Sequence, residues 1–268
     1  MLTSQITGFR YFIELAFNGA CFHGWQIQPG AITVQETLNH AIGTLTGHPV
    51  NVVGCGRTDT GVHASHFVAH FDVPDPVPDP ILLAYRLNRF INKPVRIDRI
   101  IEVPTDFHAR FNAESRTYHY LISPAKTPFM EDFTWVNSVP LDIGSMNSAC
   151  QVLLGKHDFT SFSKVHTDVK TNDCEVYEAA WTEHSGLLIF RIRADRFLRN
   201  MVRAIVGTLV EVGKGKLPPE SIVNIMNAMD RSEAGMSVPA KGLFLTRVEY
   251  DPGHFKIDPR PSFADWLD

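Results

Sequence analysis

Three glycines, one arginine and one aspartate crowd into the stretch Gly54-Cys55-Gly56-Arg57-Thr58-Asp59-Thr60-Gly61-Val62-His63-Ala64. A backbone of that composition turns sharply and lets a ligand approach closely. Its one carboxylate, Asp59, is open to three readings: a nucleophile, a general base, or a residue that only shapes the turn. Asp59-Thr60-Gly61 also spells the tripeptide of aspartic proteases, whose chemistry needs two such carboxylates sharing a proton. No second Asp-Thr-Gly or Asp-Ser-Gly occurs, so a protease would have to be a homodimer, and the charged Arg57 stands where that loop would leave an apolar strand. There is no G-x-x-x-x-G-K-[ST] and no G-x-S-x-G, which excludes a P-loop and a hydrolase elbow.

Other residues could serve that carboxylate. Phe197–Val212 reads as a helix apolar over most of its circumference, hence buried, yet it carries Arg199 and Arg203 four apart. A guanidinium entering such a helix must find an anion or snorkel to water, and Asp59 is the natural partner. In Ser115–Ile122, Arg116, Tyr118, Tyr120 and Ile122 share one strand face. A tyrosine there is a core residue or, if accessible, a flat surface for a nucleobase. Arg86, Arg89, Lys93, Arg96 and Arg99 face only Asp98 as a local counter-charge, and the first three are spaced to line one helical face. That stripe is either a solvated surface or a phosphate-binding one. His63, His66 and His70 invite a metal, but on a strand only His66 and His70 share a face, which favours hydrogen-bonded histidines. Asp158 in His157-Asp158-Phe159 reads as part of an ordered loop.

The elements that must hold these residues follow from periodicity. Arg10–Phe17 alternates as a strand; Thr33-Val34-Gln35-Glu36 has the spacing of a capping box opening a helix that ends at Gly47. A short strand near Val50–Val53 precedes the Gly-rich turn, Ser65–Val73 alternates, and Asp79-Pro80 starts a helix running to about Asn92. Strands follow near Val95–Val103 and Ser115–Ile122. The second half offers a helix at Asp142–Leu154, strands near Val176–Thr182 and Leu187–Ala194, the buried helix, a shorter helix at Pro218-Pro219 and a closing strand at Leu243–Tyr250. The expected fold class is α+β: two split β-α-β halves with a joined, mainly antiparallel central sheet flanked by helices. Residues 1–123 form the N-terminal half with the Asp59 loop, 124–140 a linker, 141–250 the C-terminal half and 251–268 an irregular tail.

Composition sets outer limits. The 268 residues are 44% hydrophobic and 20% charged, which excludes disorder and collagen-like repeats. With 25 Lys+Arg against 29 Asp+Glu the net charge is −4, so bulk charge does not hold the chain to nucleic acid or membrane, although local patches stay open. No apolar run approaches ~18 residues, and the opening residues lack the pattern of a signal peptide. Four scattered cysteines without a C-x-x-C pair read as reduced thiols of a cytoplasmic protein.

Taken in order, these motifs resemble the tRNA pseudouridine synthase A family over most of the chain. The likeness lies in Phe22-His23-Gly24-Trp25-Gln26-Ile27-Gln28-Pro29, Thr33-Val34-Gln35-Glu36, Gly56 to Ala64, Phe107-His108-Ala109-Arg110-Phe111, Ser115-Arg116-Thr117-Tyr118-His119-Tyr120 and His157-Asp158-Phe159-Thr160-Ser161-Phe162. It continues through Phe197-Leu198, Met201-Val202-Arg203, Ile205-Val206-Gly207-Thr208-Leu209 and Pro239-Ala240-Lys241-Gly242-Leu243. The resemblance implies a cofactor-free, metal-free homodimer that isomerises uridines 38, 39 and 40 of the tRNA anticodon stem-loop. It puts the nucleophile on Asp59, its ion-pair partner on Arg203, base flipping or phosphate contact on Arg57, and base stacking on Tyr118. Leu243, Leu245 and Arg116 are expected beside the substrate, and Arg86, Arg89, Lys93 and Arg199 along the RNA. Thr60, Asn18, Arg196 and Arg199 depart from the residues usual at their positions. Two other classes remain open at this point: a non-catalytic RNA-binding module, and the dimeric aspartic protease.

Overall fold

The structure is a computed structural model that describes residues 8–164 and 171–253. Its described residues fall into two compact units, one built from 8–114 and 248–253 and the other from 115–164 and 171–247.

In the first unit, strand β1 (Phe9–Phe17) is followed by helix α1 (Val34–Thr46), strands β2 (Val53–Gly54) and β3 (His63–Val73), helix α2 (Pro80–Phe90) and strand β4 (Val95–Val103). β1 lies between β4 and β3, antiparallel to both, and β2 adds to β3. Tyr11, Ile13 and Leu15 alternate as expected, yet Phe12 is buried as well, because Phe107 and Tyr250 cover its ring at 5.2 and 5.5 Å. Charges on this central strand must therefore be paired. Arg10 bonds its register partner Asp72 on β3 at 2.7 Å, and Glu14 meets its register partner Arg99 on β4 at 2.5 Å. Arg96 pairs with Asp98 at 2.7 Å, so two of the five cations in the expected basic stripe are already matched.

Both helices of this unit begin where the sequence places them. Thr33 Oγ1 accepts the Glu36 amide, and Asp79 Oδ1 accepts the Leu82 amide with Pro80 at the first helical position. α2 stops at Phe90, earlier than the expected Asn92, so Lys93 is not on the helical face with Arg86 and Arg89. Lys93 precedes Pro94, whose ring disfavours the helical backbone at that position.

The second unit holds β5 (Ala113–Ser123), β6 (Trp135–Val136), helix α3 (Ile143–Cys150), β7 (Gly155–Asp158), β8 (Asp173–His184), β9 (Leu187–Ala194), helices α4 (Met201–Gly213) and α5 (Ser221–Ala228), and β10 (Leu243–Tyr250), whose last three residues count with the first unit. The order β5-β9-β8-β7 is antiparallel throughout, with β6 added parallel to β5 inside the segment expected as a linker. The α+β class and the mainly antiparallel pairing thus stand as the sequence indicated. α4 begins four residues later than expected. Asn200 adopts a left-handed backbone (φ 67°), and Arg199 consequently stands before the helix, off the face that carries Arg203. Asp158, expected in an ordered loop, is the last residue of β7, and the ordered turn follows directly. Of the tail, residues 254–268 lie outside the described residues.

All four cysteines are free thiols, and burial pushes the Cys150 and Cys174 thiols up to about 12, which leaves them unreactive. No helix among the described residues is long and apolar enough to cross a membrane.

Candidate active site

The Asp59 loop joins β2 to β3 and is shaped by main chain and glycine. Cys55 N–H donates to Val68 O at 2.8 Å where the loop leaves β2, and Val62 N–H donates to Asp59 O at 3.1 Å, closing a turn over Gly61 (φ 79°). Beneath it runs the segment 19–25. Trp25 N–H donates to Thr58 O at 3.2 Å, and Gly19 N–H to His63 Nδ1 at 3.1 Å. Contact here is tight enough to demand the glycines. A Cβ on Gly19 would stand 2.0 Å from Val62 O, and one on Gly24, whose φ is 87°, would stand 2.6 Å from Thr58 O. The Trp25 ring stacks on Phe67 at 4.3 Å and fills the space against Gly54.

That supporting segment is in turn tied to α1. The first amides of a helix have no partner within it; here Val34 N–H donates to Gly24 O and Gln35 N–H to Trp25 O, at 3.2 and 3.0 Å. Gln35 also donates from Nε2 to Val52 O and accepts from Ile27 N–H. The Phe22-His23-Gly24-Trp25-Gln26 motif and the Thr33 helix start, distant from Asp59 in sequence, are therefore its mount. In this frame Asp59 is half-buried, Arg57 and Thr60 are exposed, and Thr58 is buried with a hydroxyl that meets no hydrogen-bond partner. The Arg57 guanidinium makes no hydrogen bond or ion pair to the described residues, which leaves it available to a ligand.

The β3 histidines have structural duties. Nδ1 of His63, His66 and His70 accepts the backbone N–H of Gly19, Val248 and Ala109 respectively. No three His, Cys, Asp or Glu side chains among the described residues are grouped as a metal site. Burial, with the nearby Arg10 cation second, pushes His70 down to about 4, so its ring is a neutral acceptor at neutral pH.

A further set of expected residues belongs to the second unit. On β5 the two tyrosines that share a face have different surroundings. Tyr120 is fully buried and donates to Pro239 O at 2.8 Å, and burial drives its phenol well above the usual range. Tyr118 is half-buried, with its ring edge-on to Phe197 at 5.1 Å. Arg116 Nη1 donates to Asp195 O at 2.7 Å. Arg203 is held by the segment 235–238. Its Nε donates to Val238 O at 2.8 Å, and Val238 N–H returns a bond to Arg203 O at 3.2 Å. That segment can lie so close to α4 only because Gly207 has no side chain: a Cβ there would be 1.8 Å from Met236 O. Gly235 N–H adds a bond to Thr208 Oγ1 at 2.9 Å. Leu243 and Leu245 are both buried, and Arg199 is exposed.

Sequence reading singles out Asp59, Arg57, Tyr118 and Arg203 as candidates but not the groups that hold the Asp59 loop and Arg203, namely Gly19, Gly24, Trp25, Gly207 and Val238. The available signal was glycine inside otherwise apolar or aromatic motifs, each marking a close backbone approach.

Comparison with known proteins matches residues 149–251 to the family model described as tRNA pseudouridine synthase. The chain is also similar to curated proteins named tRNA pseudouridine synthase A. It is 49% identical to that of Parabacteroides distasonis over 249 residues, covering 93% of this chain and 99% of the relative. It is 49% identical to the Bacteroides thetaiotaomicron protein over 261 residues (96% and 97%) and 51% identical to the Porphyromonas gingivalis protein over 244 residues (90% and 97%).

Proposed function

This chain belongs to the tRNA pseudouridine synthase A family, whose members are isomerases acting on tRNA uridine, and from that premise we propose that it converts uridines 38, 39 and 40 of the tRNA anticodon stem-loop to pseudouridine with Asp59 as the reacting carboxylate. The N1–C1′ bond breaks, the uracil turns, and C5 bonds to C1′. N1 gains the proton that C5 gives up, so the reaction is balanced without a redox partner. A base within a stem is out of reach, and flipping it out costs about a few kcal/mol that protein contacts must offset.

The observation that carries this reading is the mounting of the Asp59 turn. Main-chain bonds and closely packed glycines set its shape and its half-buried position, with the exposed Arg57 beside it. A preorganised carboxylate of this kind starts the reaction by attacking the nucleotide or by taking a sugar proton to release uracil. In this reading Arg203 is the ion-pair partner of Asp59, and Tyr118 is the ring on which the flipped uracil stacks. Arg57 occupies the place the base vacates or holds the neighbouring phosphate. Arg116, Leu243 and Leu245 complete the substrate contacts.

Phosphates of the tRNA fall on Arg86, Arg89, Lys93 and Arg199. What favours the first two is exposure on α2 without a hydrogen bond or ion pair among the described residues, in contrast to Arg96 and Arg99. The working form is a cytoplasmic homodimer. The experiment is direct: incubate unmodified tRNA transcripts with the purified chain and map new pseudouridines. Modification at 38, 39 and 40 is expected; its absence, or modification confined to other positions, overturns the reading.

A further inference from the structure

A second loop of the first unit is built with unusual completeness. In residues 107–112 every backbone N–H is used. Phe107 donates to Pro104 O at 2.9 Å, His108 to Asn112 Oδ1 at 2.7 Å and Ala109 to His70 Nδ1 at 3.2 Å. Arg110 and Phe111 both donate to His108 Nδ1, at 3.0 and 3.3 Å, and Asn112 donates back to His108 O at 3.1 Å. Two carbonyls are held as well, Phe107 O by Arg10 Nη1 at 3.2 Å and Ala109 O by the Tyr250 hydroxyl at 2.6 Å. Surface loops are ordinarily looser than this.

What the rigid loop displays is one aromatic ring. Phe111 is 75% exposed. Its inner side is backed by the His108 imidazole, 4.3 Å away and tilted by 33°, which itself packs edge-on to His70 at 4.6 Å. The Arg110 guanidinium stands 5.7 Å from the Phe111 ring centre. Burial, and then the Arg10 and Arg110 cations, hold His108 below its usual range, so its ring stays neutral and keeps accepting the two amides.

We infer that Phe111, with Arg110 beside it, is a stacking platform for an unpaired nucleobase of the tRNA, outside the Asp59 loop. The inference rests on the tRNA reading above. The chemistry favours a base over a protein partner. A protein interface needs a contiguous apolar patch, whereas Phe111 is flanked by exposed Arg110 and Asn112 and by exposed Thr105 and Asp106 in the same connection. A single ring next to a cation matches one flat base and its phosphate. The rigid backbone means that little ordering entropy opposes the contact.

The test measures pseudouridine formation on full-length tRNA by Phe111→Ala, Phe111→Leu and Phe111→Tyr, with thermal melting to verify folding. Phe111→Ala should raise KM about tenfold, within the range for stacking one base on an aromatic ring, while kcat changes by less than about twofold. Phe111→Tyr should restore the parent KM and Phe111→Leu should not, because the leucine supplies apolar area without a π face. A parent KM in Phe111→Ala, or rescue by leucine equal to that by tyrosine, overturns the inference. So does a changed sedimentation coefficient of Phe111→Ala without tRNA, which would assign the ring to contact between copies. If the unaltered chain makes no pseudouridine, the functional reading fails by itself; direct tRNA-binding titrations of the same variants then still decide the stacking.

Discussion

Two aspartates sit in short turns, one in each unit, and the turns are constructed on opposite plans. At Asp158 the carboxylate is the construction. Oδ1 accepts the Thr160 amide at 2.7 Å and the Thr160 hydroxyl at 2.5 Å, and Asn172 Nδ2 braces that hydroxyl at 2.8 Å. Next to it Ser161 Oγ donates to Ile225 O and accepts Asp230 N–H, fastening the turn to α5. At Asp59 the construction is done by others: the Asp59 carbonyl, Gly61, and the underlying Gly19, Gly24 and Trp25. The Asp158 turn is held by its own carboxylate; the Asp59 turn is shaped by main chain and closely packed glycines. In the sequence Asp59 stands among glycines and Asp158 among aromatics, and what lies underneath each turn completes the difference in how it is held.

The comparison breaks most directly at Asp59. Asp59→Ala should lower pseudouridine formation by at least about a thousandfold, as loss of a nucleophile or base does, with the melting temperature essentially kept. Retained turnover, or a large loss of stability, would place Asp59 with Asp158. Next in size is Gly24→Ala. The added methyl meets Thr58 O and the left-handed backbone is strained, so the loop must shift. A displacement of this order costs roughly a hundredfold in rate, and kcat against urea stability separates it from simple unfolding.

Asp158→Ala should do the reverse. It removes a turn-capping acceptor, which costs about 1–2 kcal/mol of stability, while turnover per folded molecule is unchanged. Chemical denaturation alongside single-turnover assays is the measurement. The smallest effect is on pH. His70 titrates near 4 in the folded chain and near 6.5 unfolded, so the unfolded state takes up a proton first as the pH falls. Its contribution is complete above about 6.5, is lost progressively down to about 4 and is constant below that. His70→Asn keeps an acceptor for the Ala109 amide but does not titrate, and it should flatten the acid slope of the denaturation midpoint.

Much of this was legible beforehand, and the exceptions share a cause. β9 and β10 end where alternation put them, and Thr33 and Asp79 cap the helices they were expected to cap, because these signals are local. Tyr118 and Tyr120 were correctly placed on one strand face, but only tertiary packing decides that one is core and the other accessible. The start of α4 lies later than periodicity indicates because a left-handed asparagine interrupts a stretch whose apolar residues keep helical spacing. β6 and β7, with two and four residues, are too short for any period to show. The roles of Gly19 and Gly24 depend on a loop more than thirty residues downstream, which composition does not reveal.

Because the final three residues of β10 complete the first unit, that unit is unfinished until residues 248–250 have been made. Val248 must arrive for His66 Nδ1 to gain its donor, and Tyr250 for Ala109 and Phe12 to be covered. On the ribosome, where N-terminal segments generally condense first, residues 8–114 would wait with polar and aromatic groups still open, and the maturation of the early-made half is timed by the synthesis of residues 248–250.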